Sequence, residues 1–264
     1  MSVKGNVVDT VSVSSAVRGP VPRISPLFLT LVAVAAAGGA LTLVASRLTV
    51  TVGIVVLVLA GWAVSLCLHE FGHALVADRG GDHSVRLKGY LTLDIRRYSH
   101  AGVTVVLPLL FLLIGGIPLP GAAVWIDRSA LRSRAATSVV SLAGPAVNLV
   151  LAVLLGVAVP FAPLALATGL SFLALIQVLA FVLNLLPIPG LDGFGVIDPY
   201  LPATTRVAAA RVGPYAPLAL VAVIFLIPQA SALLFSVASA VFGAAGGSEE
   251  LAGIGQALFF FWRP

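Results

Sequence analysis

Residues 51–73 read "TVGIVVLVLAGWAVSLCLHEFGH", and this stretch decides the class of fold. Positions 51–68 carry no charge, and eighteen helical residues rise about 27 Å, close to the hydrocarbon thickness of a bilayer. The run then ends on two histidines and a glutamate. An ionisable group inside an apolar segment costs about 2.5–3.5 kcal/mol even on lenient insertion scales, so three together imply a use. In a helix His69 and His73 lie on one face, one turn apart, and Glu70 is rotated only about 60° from His73. H-E-x-x-H spacing supplies two imidazole ligands to Zn²⁺ and a carboxylate able to take a proton from the attacking water.

The rest of the chain fits a membrane setting. Its 264 residues are 59% hydrophobic and 9% charged, against roughly a quarter charged in soluble domains, so an integral membrane protein is expected. Apolar segments at 26–46, 50–77, 101–118, 137–160, 164–186 and 214–245 predict an all-α polytopic protein of about five or six transmembrane helices. The last contains Pro228 and reads as one kinked helix or two shorter ones. The tail ends in an aromatic cluster, "FFFWRP", suited to a membrane interface. The formal charge of +5 is scattered through membrane-flanking loops, where it sets orientation, so no nucleic-acid partner is expected. The single cysteine, Cys67, excludes an internal disulfide, and its helical angle turns it away from His69.

A third metal ligand must come from elsewhere. Asp192 and Asp198, in "NLLPIPGLDGFGVIDPYLP" (184–202), are the acidic residues that closely follow an apolar helix. Asp192 is the choice, because Pro187 and Pro189 stop the helix while Gly190 and Gly193 let the backbone bend around it. Asp198 precedes Pro199 and reads as a turn former or cap. His83 and His100 read as surface residues. Asn148 and Asn184 are amides in apolar helices; they either hydrogen-bond substrate backbone or the oxyanion, or tie helix to helix.

Lys4, Arg18 and Arg23 precede the first helix, which puts the N-terminus in the cytoplasm. The second helix then runs inward. Asp192 reaches the histidines only if 101–120, rich in proline and glycine, is re-entrant rather than a full crossing. Ten arginines and lysines between Arg79 and Arg211 then also lie inside. Over 84–96, "SVRLKGYLTLDIR", apolar and polar residues alternate with period two, predicting a small membrane-associated β-hairpin or sheet able to pair with an extended peptide.

With "HEFGH" in one helix, "AGPAVN" (143–148) in the next and "NLLPIPGLDG" (184–193) ending another, the chain resembles the site-2 protease family of intramembrane zinc metalloproteases. The resemblance covers roughly 50–200 and implies a three-helix catalytic core there, flanked by a cytoplasmic tail (1–25), a first transmembrane helix (26–49) and C-terminal transmembrane helices with a tail (201–264). It implies one zinc per chain on His69, His73 and Asp192, with Glu70 as catalytic base. It also implies cleavage, in or near the bilayer, of a single-span membrane protein, as in regulated intramembrane proteolysis at the cell inner membrane. This looks like a minimal member, without PDZ or CBS domains. Self-association into a homo-oligomer is compatible with the sequence. The rival readings are a metal-binding transporter and a catalytically inactive relative. Glu70 discriminates, since a transport site has no need of a base beside the metal.

Overall fold

The computed structural model describes residues 24–98, 109–114 and 124–263. Its frame is a set of antiparallel apolar helices. After α1 (Pro26–Leu41) comes α2 (Arg47–Gly80), whose 34 residues extend about 51 Å, well beyond a hydrocarbon core. The other two long helices are α3 (Arg134–Ala158) and α4 (Leu164–Asn184). Seven residues of irregular chain, two of them prolines, separate α4 from the short α5 (Asp192–Ile197). The chain continues through α6 (Ala203–Val212), α7 (Ala216–Leu226), α8 (Pro228–Ala244) and α9 (Glu249–Phe259).

Among the described residues, α2, α3 (with the 3-10 turn that extends it) and α4 are long and apolar enough to cross a membrane. The pairs α6/α7 and α8/α9, bent by 65° and 120°, raise the number to five if each bent pair is one span. At 16 residues α1 reaches only about 24 Å, so the first span expected over 26–49 is shorter than a full crossing by helix alone. The segment expected over 214–245 is two helices, parted at Pro228, which cannot donate the backbone hydrogen bond that a continuous helix needs.

Local chemistry sets the ends. Ser133 caps α3 by accepting from the Ala136 amide, and Gly81 ends α2 with φ 126°, a conformation that side chains with a Cβ avoid. The helices then pack through small residues. Gly38 of α1 and Gly53 of α2 lie against each other's helix backbones, leaving no room for a Cβ on either. Helix α4 is the centre of the bundle: Ile176, Val178, Leu179 and Leu183 are all buried.

The expected β-hairpin is not there. Residues 84–98 instead form a helical turn (Ser84–Leu87) and two 3-10 turns (Tyr90–Thr92 and Ile95–Arg97). Asp82 and Asp94 accept hydrogen bonds from the backbone two residues on, favouring turns over an extended ladder. Gly89 and Leu93 take positive φ (73° and 60°), which breaks a strand. The alternation also fails as a burial pattern: Tyr90 is buried, whereas Leu87 is 75% exposed. The Arg96 guanidinium bonded to Asp94 holds that carboxyl below its usual range and keeps the turn charged and folded.

The aromatic tail also departs from expectation in part. Helix α9 folds back onto α4, and Phe259 and Phe260 are buried against Phe172, with Phe172–Phe259 centroids 5.5 Å apart. Phe261 and Trp262 alone stay exposed. Of the stretch 101–120, residues 101–108 and 115–120 lie outside the described residues, as do the N-terminal tail to residue 23 and His100. Residues 109–114 are helical, and Leu112 is buried beside Ile54, Val58 and Trp62 of α2. The amide of Arg132 donates to the carbonyl of Gly80 at 3.0 Å, so the chain leaves α2 and enters α3 at one end of the bundle. Asp192, after the return along α4, reaches that same end.

Candidate metal centre

His69, Glu70 and His73 sit on the face of α2 turned to α3 and α4, and all three are buried. Their neighbours fix the imidazole tautomers. His73 Nδ1 lies 2.7 Å from the carbonyl of Val140, which only accepts, so Nδ1 carries the proton. His69 Nδ1 lies 2.6 Å from Asn148 Oδ1, again a donor position. Both Nε2 atoms therefore present lone pairs, and they face one another at 3.1 Å.

The Asp192 carboxylate completes the convergence: Oδ2 lies 3.3 Å from His69 Nε2 and Oδ1 lies 3.4 Å from His73 Nε2. Three electron-pair donors pointing at one another repel unless a cation lies between them. Tetrahedral zinc with arms of about 2.0–2.1 Å has ligand–ligand edges of about 3.3–3.4 Å. The two imidazole nitrogens at 3.1 Å, and the carboxylate oxygen nearest each of them at 3.3 and 3.4 Å, lie close to that figure, and the N₂O donor set suits zinc.

The loop after α4 is built to deliver Asp192. Gly190 adopts φ 93°, and its missing Cβ lets the Gly213 carbonyl approach. Gly193 packs against the carbonyl of Leu185, so α5 starts directly under the end of α4. On the opposite wall Gly144 of α3 lies flat against both imidazoles, and a methyl group there would overlap the Nε2 atoms. Its role is clearance for the histidines. Pro145 lies inside α3, which runs on unbroken to Ala158.

A cavity of about 390 Å³ opens onto the three donors. Its walls include Glu70, Trp62, Leu66, Phe194, Asn184 and the irregular run 124–126. Glu70 is 1% exposed, and its Oε2 accepts a 3.0 Å hydrogen bond from the Val124 amide. Asn184 and Asn148 both line the cavity, and the Asn148 side chain is already engaged: its Oδ1 holds His69 and its amide nitrogen donates to Gln177 Oε1 at 2.8 Å. The helix-tying alternative read for Asn148 is the geometry found. Asp198 is ion-paired with Arg128 at 2.5 Å, and His83 with Asp78 at 3.1 Å, both away from the three donors. Cys67 is buried in a separate apolar cluster.

Sequence reading missed Gln177, Ser65, and the backbone groups of Val140 and Val124. Gln177 carried a signal: it is an amide amid the apolar residues of α4, the same signature that drew attention to Asn148 and Asn184. The two backbone contacts carried none, because any residue type offers them.

Comparison with known proteins agrees with this geometry. Residues 55–165 match the model of "Peptidase family M50". The chain is 47% identical over 247 residues to "Putative zinc metalloprotease Rip2" of Mycobacterium tuberculosis, spanning 91% of this chain and 95% of the relative. Its counterpart in Mycolicibacterium smegmatis is 46% identical over the same share of both chains. "Putative zinc metalloprotease YwhC" of Bacillus subtilis is 31% identical over 189 residues, 67% of this chain and 83% of the relative. No solved structure matches the chain. Likeness of this extent, over nearly the whole length of the mycobacterial relatives, makes the chain a member of peptidase family M50.

Proposed function

We propose that this protein is an intramembrane zinc metalloprotease that hydrolyses a peptide bond in or near the transmembrane segment of a single-span membrane protein. The observation that carries the reading is the convergence of two imidazole nitrogens and the Asp192 carboxylate, 3.1–3.4 Å apart at their nearest atoms, beside the buried Glu70. His69 Nε2, His73 Nε2 and one Asp192 oxygen would hold the zinc, in a core spanning 50–200. When bound, zinc polarises the scissile carbonyl and acidifies the attacking water. The residues of this chain do the rest. Val124 N–H fixes Glu70 Oε2, and the Glu70 carboxylate takes the proton of that water and returns it to the leaving amine. Asn184, on the cavity wall, donates to the substrate carbonyl or its backbone. Asn148 acts through His69 and is a positioning residue.

The apolar walls formed by Trp62, Leu66 and Phe194 accept a lipid-phase segment and limit water. The run 124–127, which lines the cavity through Val124, Trp125 and Ile126, holds the unwound substrate there. In orientation, the site lies towards the cytoplasmic side of the cell membrane. Support comes from the cations Arg79, Arg128, Arg132 and Arg134, gathered near the end of the bundle where α2 stops and α3 starts. The stretch 101–120 is re-entrant in this reading: Leu112 is buried among core residues of α2, while both flanking helices meet at one end.

Glu70→Gln tests the proposal. Co-expressed with a panel of tagged single-span membrane proteins, wild type releases a fragment and Glu70→Gln releases none while retaining zinc. Equal fragments from both would defeat the assignment of the base.

A further inference from the structure

We infer that Gln177 and Ser65 are positioning residues for the zinc site, acting through Asn148 to lock the His69 tautomer that leaves Nε2 open. The inference rests on the proposed ligand set. Four buried side chains from three helices form one hydrogen-bonded line: Ser65 and His69 from α2, Asn148 from α3 and Gln177 from α4. Ser65 Oγ lies 2.7 Å from the Trp62 carbonyl, 3.0 Å from Gln177 Nε2; Gln177 Oε1 lies 2.8 Å from Asn148 Nδ2; Asn148 Oδ1 lies 2.6 Å from His69 Nδ1.

The direction of every bond follows from one end. The Trp62 carbonyl can only accept, so the Ser65 hydroxyl donates to it. Ser65 Oγ must then accept from the Gln177 NH₂ group, which turns Gln177 Oε1 towards Asn148. Asn148 answers with its NH₂ group, which leaves Oδ1 facing His69. An oxygen acceptor there requires the proton on Nδ1, and a neutral imidazole then carries its lone pair on Nε2. An amide is ambiguous by itself: rotated by 180° it offers NH₂ to His69 and selects the opposite tautomer, with a proton on Nε2. Gln177 removes that ambiguity. Gln177 is 1% exposed at the middle of the bundle, and a buried amide with no polar task would be costly there. His73 needs no such device, because the Val140 carbonyl cannot be reversed.

Zinc affinity of the detergent-solubilised full chain, measured by competition with a chelator, reads this out without any substrate. Gln177→Leu lowers affinity about 10–100-fold, the usual effect of losing a partner that orients a ligand. Ser65→Ala, a smaller change, lowers it in the same direction. Asn148→Asp then separates positioning from packing, because a carboxylate offers only acceptors to His69 Nδ1 in either orientation. Its gain in affinity is larger in the Gln177→Leu background than in wild type. An unchanged affinity in Gln177→Leu, or an equal effect of Asn148→Asp in both backgrounds, overturns the inference. Failure of the ligand set itself looks different: wild type would bind no zinc, or His69→Ala would keep it.

Discussion

Glu70 and Gly144 show how little chemistry a residue needs to state when its surroundings state it. Among the described residues no lysine or arginine forms an ion pair with Glu70; one backbone amide and the neighbouring donors surround its carboxylate. Gly144 has no side chain at all, and that absence shapes the site. In Gly144→Ala the added methyl would push both imidazoles off their present positions. Misplacement of about 1 Å near the reacting atoms costs on the order of 10²-fold in rate. The expected outcome is a loss of that size in cleavage of a reporter substrate, together with weaker zinc retention on dialysis. Intact activity in this variant would show that the imidazoles can move aside without cost. The sequence motif "AGPAVN" was legible as important, yet its reason was not: clearance is a property of two helices and cannot be read from one.

Helix α9 carries the lesson at the level of elements. In the sequence, the aromatic run that closes it reads as suited to a membrane interface. In the structure it returns at 120° to α8 and packs along α4, the helix that also bears Gln177 and Asn184. Phe259 is fully buried between Phe172 and Phe260. Phe259→Ala should cost about 3–5 kcal/mol, the range for removing a buried aromatic. A thermal melt of the purified protein checks it; a midpoint equal to wild type would place this ring in lipid rather than in the core. The turn region 84–98 shows the reverse error. A period of two over "SVRLKGYLTLDIR" is real in the sequence, but Asp82, Asp94, Gly89 and Leu93 each settle the backbone locally into turns.

For the whole molecule, the decisive quantity is which end of the bundle each loop occupies. The Arg132–Gly80 hydrogen bond puts the start of α3 beside the end of α2, and α4 brings Asp192 back to that end. Ala130 and Ala135 are exposed there, while Phe161 is exposed at the far end of α3. Single cysteines at 130 and 135 should react with an impermeant thiol reagent only from the cytoplasmic face, and a cysteine at 161 only from outside. Labelling of position 130 from outside would reverse the orientation. The demand that two imidazoles and a carboxylate meet was enough to predict from sequence that α3 starts at the end of the bundle where α2 stops. Metal geometry tolerates an error of tenths of an ångström, whereas a wrong topology moves a ligand by a bilayer's thickness.

Sequence alone determined the membrane setting and the helical class, and it singled out His69, Glu70, His73 and Asp192, which the structure brings together, because apolar length, i to i+4 spacing and helix-breaking prolines act over a few neighbouring residues. Only the tertiary structure decided the fate of 84–98, the inward return of α9 and the directed line from Ser65 through Gln177 and Asn148 to His69. Those features depend on which buried polar atom finds which partner across helices distant in the chain, and a buried donor or acceptor must be satisfied wherever folding puts it.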